Sequence, residues 1–177
     1  MAQFVGQEAD ETVLKVTHKH WFYMLPIVVA LGVVAFGILN IMVLLPIYAK
    51  DLVDAIGTSL FTLINVVILG FLALILIVNW FLYLQNKLIV TNENIVLIDQ
   101  QGIFGRKISR IKLQNIEEIT AERRGVLQTL LNFGTLKIET AGEQNNFTVT
   151  LIPNAQSLAG YISEQAPNPP KVSTGNN

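Results

Sequence analysis

Two long uncharged stretches dominate the first half of the chain and limit what it can fold into. The first lies between Lys19 and Lys50, and the second lies between Asp54 and Lys87. A bilayer core about 30 Å thick needs about 20 apolar residues of helix, so each stretch is long enough to cross a membrane once. The sequence is 51% hydrophobic and only 14% charged, whereas soluble domains carry about 25% charged residues. We therefore predict an integral membrane protein.

Charges around the two stretches predict their orientation. Residues 50–54 hold three charges that must stay outside the hydrocarbon, so the spans at about 22–48 and 57–83 form a hairpin. Basic residues flank the hairpin on the side of the termini, whereas Lys50 in the loop is offset by two aspartates. By the positive-inside rule, we expect both termini on the cytoplasmic side of the cytoplasmic membrane.

Aromatic side chains cluster where the spans meet the predicted cytoplasmic interface. Trp21 and Tyr23 open the first span, and Trp80 and Tyr83 close the second. In an antiparallel hairpin these four residues lie at one interface, where amphipathic rings settle at the depth of the headgroups. We predict them to be interfacial anchors.

Polar side chains near the middle of the spans could indicate either helix packing or a transport path. Asn40 and Asn65 lie close to glycines such as Gly32 and Gly70. Small and polar residues in spans usually mediate helix–helix contacts, whereas a transport path typically contains acidic or basic groups inside the membrane. The spans contain none, so we interpret these residues as packing positions.

After Asn86 the pattern changes to the short alternating runs that are typical of β-strands. The predicted strands cover residues 87–91, 94–100, 105–114, 116–122, 134–140 and 147–151. They predict an antiparallel meander of about six to seven strands, which forms a bent sheet or a partly open barrel. Apolar residues then recur with helical spacing from Ala155 to Ile162, which predicts a capping helix after Asn154 as its N-cap.

These patterns divide the chain into four parts. We expect a cytoplasmic N-terminal segment at 1–20, the helical hairpin at 21–86, a mainly-β cytoplasmic domain at 87–165 and a disordered tail at 166–177. Two smaller features are a possible extra strand before the first span, at residues 12–17, and a short helical turn at 125–132.

Three stretches of the second half together resemble the membrane-anchored bacterial pleckstrin-homology-like (PH-like) proteins, often called YdbS-like. The stretches are IVTNENI (89–95), GIFGRKI (102–108) and NFGTLKIETAG (132–142), and HKHW (18–21) is similar to the segment that leads into the first helix. The resemblance implies a seven-stranded, strongly bent sheet closed by a C-terminal helix at 153–165. It implies no activity. Eukaryotic relatives of the fold often bind phosphoinositides, but a shared fold does not establish a shared function.

The strongest candidate for a binding site is a run of basic residues. Arg106, Lys107, Arg110 and Lys112 lie within seven positions with no acidic residue between them. In a strand, Arg106, Arg110 and Lys112 share one face, and each basic residue near an anionic membrane contributes about 1 kcal/mol. We predict that these three contact lipid headgroups or a protein partner. The alternative is an ordinary solvated face, neutralised in part by glutamates of the next strand such as Glu122.

Catalytic groups are scarce. The chain has no cysteine and no glycine-rich phosphate loop, and no histidine follows His20, so the commonest general base is missing from the β domain. His18 and His20 could hold a metal, but no third ligand is evident. We expect no enzyme, cofactor or metal. A hydrolase built on carboxylates such as Glu117 and Glu118 is the remaining catalytic alternative.

The sequence as a whole predicts a binding module. We expect a non-enzymatic, membrane-anchored scaffold whose domain contacts a protein partner or anionic lipid headgroups. The alternative is a structural subunit that oligomerises through its spans, with the domain as a cap. A net charge of −1 does not favour nucleic-acid binding, and no small-molecule substrate is indicated. Addition of a partner strand to a sheet edge is a further possible mode of recognition.

Overall fold

The computed structural model describes residues 11–141 and 147–176 and divides into two compact units. One unit is helical and covers Met24–Phe81, and the other joins the chain up to Tyr23 with the chain from Leu82 onwards. We expected a contiguous β domain at 87–165. The second unit instead includes residues from before the helices, because a strand in that segment completes one of its sheets.

The helical unit contains two long apolar helices joined by a short one. A 3-10 turn, Trp21–Met24, leads into α1 (Leu25–Tyr48), and α2 (Lys50–Ile56) connects it to α3 (Thr58–Gln85). With its leading turn α1 reaches 28 residues, as does α3, and their mean hydropathies of 2.8 and 2.9 make both long and apolar enough to cross a membrane. At most 6% of their most apolar windows is buried, unlike the core helices of a soluble protein.

The asparagines near the middle of the two helices bond within their own helix. Asn40 Nδ2 donates to Phe36 O at 2.8 Å, and Asn65 Nδ2 donates to Phe61 O at 2.9 Å. We predicted contacts between helices for these residues. Asn65 is buried, as a packing position requires, and each amide also reaches the carbonyl one turn back, which is the nearest acceptor available to a short polar side chain in a helix.

The first sheet combines one strand that precedes the helices in sequence with three strands that follow them. Its strand order is β1 (Val13–His18), β2 (Lys87–Thr91), β3 (Asn94–Gln101) and β4 (Gly105–Lys112), and all its pairings are antiparallel. β1 confirms the strand predicted before the first span. Because His18 lies opposite Lys87, the chain leaves for the helices and returns from them at the same end of this sheet.

The second sheet follows in sequence. Its strands are β5 (Ile116–Arg123), β6 (Phe133–Thr140), β7 (Phe147–Pro153) and β8 (Lys171–Asn176), arranged in the order β7-β6-β5-β8. The short helix α4 (Gly125–Leu130) connects β5 to β6, as the sequence predicts. The connection between β6 and β7, residues 142–146, lies outside the described part of the chain.

β8 occupies the segment for which we expected a disordered tail. It pairs in parallel with β5 from Glu118–Lys171 to Arg123–Asn176, and Ser173 Oγ donates to Glu118 Oε1 at 2.7 Å. The segment has no apolar periodicity to signal a strand. Its backbone groups instead find partners on the edge of β5, which would otherwise be unpaired.

The main hydrophobic core lies between the two sheets and α5 (Ala155–Gln165). The four apolar positions that predict this helix are all buried, which confirms its capping role. Asn154 precedes the helix with a φ of 50° and makes no side-chain cap, because its side-chain oxygen accepts a hydrogen bond from Asn132 Nδ2 instead. The core comprises, among others, Leu88, Val90, Ile95, Ile111, Ile119, Leu136, Ile138, Val149, Leu158 and Ile162.

Gly134 in β6 allows the two connected strands β5 and β6 to approach closely. A Cβ atom at this position would lie 2.5 Å from the backbone oxygen of Glu122. We expect G134A to lower the free energy of unfolding by about 1–3 kcal/mol, the usual cost of overpacking, and to lower the thermal midpoint of the detergent-solubilised protein.

G160A is the matched control, since an added Cβ at Gly160 in α5 meets no atom within 4 Å. Replacing a helical glycine by alanine is expected to be neutral or to stabilise by about 0.5–1 kcal/mol. Equal thermal midpoints for G134A and G160A would contradict the close approach at Gly134.

Candidate functional site

The chain passes from the β unit into the helices and back again at one end of the first sheet, the end that carries His18 and Lys87. We call these two passages the crossings and this end the crossing end. Lys19 Nζ forms an ion pair with Asp99 Oδ1 at 3.0 Å, and Asn86 Oδ1 accepts a hydrogen bond from Gln100 N–H at 2.9 Å. These bonds connect Lys19, just before the helices, and Asn86, just after them, to the end of β3. The base of the β3–β4 hairpin is therefore held by both crossings.

Aromatic rings fasten the second sheet to the same end. Phe133, the first residue of β6, stacks on His20 with ring centroids 4.9 Å apart and on Phe22 at 5.1 Å. The backbone N–H of His20 donates to Leu151 O at 2.6 Å, and Leu151 has a φ of 59°. This local departure of β7 from extended geometry turns a carbonyl toward the chain that leads into α1.

Two of the predicted interfacial anchors contact each other. Tyr23 and Tyr83 stack with ring centroids 6.1 Å apart, and Tyr83 Oη donates to Lys19 O at 2.8 Å. Trp21 and Trp80 are each more than half exposed. The tyrosine pair therefore joins the turn that leads into α1 to the last turn of α3. Headgroup depth for these rings remains a prediction.

The predicted basic residues lie on one face of β4 but not in one cluster. The register places Arg106 opposite Gln100, Arg110 opposite Val96 and Lys112 opposite Asn94. Because strands rise about 3.3 Å per residue, Lys112 is about 20 Å from Arg106. Arg106 lies near the crossing end and Lys112 near the opposite end, which we call the far end.

That face of the first sheet also carries apolar side chains. Ile89, Val96 and Ile98 form a small buried cluster there, separate from the main core. Ile108 lies between Arg106 and Arg110 and is partly exposed. The face therefore combines basic and apolar groups, rather than presenting the wholly polar surface of an ordinary solvated strand.

The glutamates expected to offset the basic run belong to the other sheet. Glu122 pairs with Lys137 Nζ and with Arg124 Nη2, each at 2.7 Å, while Glu118 accepts from Ser173. The hydrogen bond from Lys137, aided by the charge of Arg124, holds the pKa of Glu122 below its ordinary value, although partial burial opposes the effect. Glu118 and Glu122 are thus engaged within the second sheet.

His20 has a structural role where the segment before α1 contacts the second sheet. Its Nδ1 accepts a hydrogen bond from Phe22 N–H at 3.3 Å, and burial lowers its pKa below the ordinary value of 6.5. In the described part of the chain, no three histidine, aspartate or glutamate side chains are grouped so that they could hold a metal ion.

Sequence reasoning missed two features of the ends of the β unit. At the crossing end, several apolar side chains are strongly exposed, among them Phe104 and Val126. At the far end, Glu11 is buried and its Oε1 accepts hydrogen bonds from Thr91 Oγ1 and Asn94 Nδ2. The first could have been suspected from an apolar pair inside a glycine-flanked turn at 102–105, whereas no local pattern signals the second.

Two four-stranded sheets closed over one core by a C-terminal helix define a PH-like domain, here combined with a pair of apolar helices. The sequence profile of the family described as Bacterial PH domain matches residues 22–166, and the chain belongs to that family. This confirms the resemblance noted from the sequence. PH domains are generally non-catalytic binding modules, and no enzyme family is indicated.

Among solved structures, the chain is similar to a DUF1696 family protein with a pleckstrin-homology domain from Shewanella loihica PV-4. The two are 20% identical, the match covers 48% of this chain and 73% of that one, and the TM-score is 0.37. None of the curated proteins matches the chain.

The lowered pKa of His20 predicts how its contribution to stability changes with pH. A histidine whose pKa is depressed by folding binds fewer protons when folded than when unfolded, so the stability it contributes is complete above pH 6.5 and is lost as the pH falls through its folded pKa. We expect the thermal midpoint of the native protein to fall more between pH 7.5 and about pH 5 than that of H20F.

H20F keeps an aromatic ring against Phe133 but cannot titrate, and His18 is present in both proteins. The comparison therefore isolates the proton on His20. Identical pH profiles for the two proteins would contradict this assignment.

Proposed function

We propose that the chain is a membrane-anchored, non-enzymatic binding module, in which α1 and α3 cross the cytoplasmic membrane and hold the PH-like domain at its cytoplasmic face. The pairing of β1 with β2 carries the proposal. A strand before the helices and a strand after them can pair only if both lie on the same side of the membrane. This requirement supports the hairpin independently of the flanking charges, and the charges then favour the cytoplasmic side.

The binding surface in this proposal is the basic face of β4. Arg106 lies near the crossing end, where an anionic headgroup is within reach of a domain tethered directly to its membrane helices. Arg110 and Lys112 continue the face toward the far end and suit an acidic protein partner. β4 is also an edge strand of its sheet, so a partner segment can add to it as a further strand.

A second candidate function is a structural subunit that assembles through its helices. An open apolar groove of about 330 Å³ runs between α1 and α3, and small residues such as Gly32, Ala35 and Ala73 line it. Small residues let another helix approach closely, which supports assembly through this unit. In this case the β4 face has no part in the assembly.

Cysteine labelling tests the membrane topology, and the absence of native cysteine makes it clean. We expect D51C, in α2 between the spans, to react with a membrane-impermeant maleimide in intact cells. T174C, in β8, should react only after the membrane is permeabilised. Labelling of T174C but not D51C in intact cells would reverse the proposed orientation, and labelling of both would argue against a spanning hairpin.

Energy transfer to labelled lipids tests the basic face. A donor dye on I108C, in the full-length protein in vesicles, should transfer more energy to dilute acceptors on anionic lipids than to acceptors on neutral ones. R106E/R110E/K112E should abolish the difference, and K171E, an exposed reversal on β8, should not. The difference should also shrink as salt shortens the Debye length from about 10 Å at 0.1 M to about 3 Å at 1 M.

Equal transfer to both lipids at low salt would remove the headgroup role and leave the protein partner. If oligomers persist unchanged in the charge-reversed protein and no partner can be crosslinked through β4, the helix-mediated subunit is the better account.

A further inference from the structure

The crossing end of the β unit presents an exposed apolar rim built from two separate pieces of chain. The exposed fraction is 99% for Phe104, 80% for Val126 and 76% for Leu130 in this rim. Large exposed apolar patches bordered by polar residues mark protein or membrane interaction sites. The rim comprises Ile103 and Phe104 from the β3–β4 turn and Val126, Leu127 and Leu130 from α4.

The first piece of the rim projects beyond the chain crossings. His18, Lys87 and Ile98 lie in one row across β1, β2 and β3, and β3 continues for three more residues before the turn at Gly102, whose φ is 81°. At about 3.3 Å per residue the turn extends about 10 Å past that row. The ion pair of Lys19 with Asp99 fixes the base of this hairpin.

The second piece lies at the same end of the domain. α4 is followed after two residues by Phe133, which stacks on His20 and Phe22 next to the first crossing. The backbone N–H of Arg124 donates to Gln128 Oε1 at 2.7 Å, and Thr129 Oγ1 donates to Gly125 O at 3.1 Å. Local hydrogen bonds therefore stabilise α4, and its apolar side chains are exposed to solvent.

Basic side chains flank both pieces of the rim. Arg106 and Lys107 follow the turn. Arg123 and Arg124 precede α4, where Arg124 also pairs with Glu122, so the turn carries the larger share of the positive charge. Apolar tips bordered by arginine and lysine are the composition that binds the boundary between headgroups and acyl chains, where the apolar groups leave water and the cations meet anionic lipid. A partner protein would not require the apolar groups to gather where the chain enters its membrane helices.

We propose that this rim is seated in the headgroup–acyl boundary of the same bilayer that α1 and α3 cross, which rests on the proposed function. The contact gives the domain a second attachment besides its two covalent links and fixes which end faces the lipid. The far end, with the β2–β3 turn at Glu93 and with Lys112, then faces the cytoplasm.

Depth-dependent quenching in the full-length protein tests the proposal. Single cysteines are introduced as F104C and V126C in the rim, E93C in the exposed far-end turn, and F71C in the middle of α3. Each variant is labelled with an environment-sensitive dye and reconstituted into vesicles whose lipids carry bromine at either a shallow or a deep acyl position.

We expect shallow bromine to quench the dyes at 104 and 126, deep bromine to quench the dye at 71, and neither to quench the dye at 93. Quenching at 71 without quenching at 104 and 126 would overturn the seated rim and leave the membrane anchor intact. A dye at 71 that no brominated lipid quenches would overturn the anchor itself, and this inference with it.

A second copy of the chain is the competing occupant of the rim. In that case emission at 104 would ignore bromine and would shift toward the solvent-exposed value as the lipid-to-protein ratio is raised. This result would also overturn the lipid contact.

Discussion

The hydrogen-bonded pairing of β1 with β2 is the constraint on which the rest of the molecule depends. It joins a strand that precedes the helices to one that follows them, from Val13–Thr91 to His18–Lys87. The first sheet is therefore incomplete until the helices have brought their two ends together. Removing the chain that precedes the helices would expose the edge of β2 and would break the ion pair between Lys19 and Asp99.

The same pairing determines how the second sheet is attached. Because β1 ends at the crossing, the residues just beyond it are free to stack on Phe133 and to bond to Leu151, and so they connect the first sheet to β6 and β7. α5 completes the assembly from the other side, since its buried face belongs to the same core as both sheets. Neither sheet buries its apolar face alone, so the two sheets, the helix and the crossing stabilise one another.

Local patterns were sufficient for most elements of the fold. Alternating residues predicted the strands from β2 to β7 to within about two residues, since each of them except β4, which buries only Ile111, has one face in the core. β8 was missed because it is held by backbone bonds to β5 and carries no periodic signal. Strand parity placed Arg106, Arg110 and Lys112 on one face, but their distance from the crossing end depends on a pairing between residues about 70 positions apart, which no local pattern reveals.

That distance decides which charges can serve which partner. At physiological salt the Debye length is about 8 Å, and Lys112 lies about 20 Å along the strand from Arg106. For a domain that meets the membrane with its crossing end, the attraction of anionic headgroups is thus strong at Arg106 and Lys107 and largely screened at Lys112. Under the proposed function, the basic face serves lipid contact at one end and an acidic partner at the other, and the direction of β4 keeps the two apart.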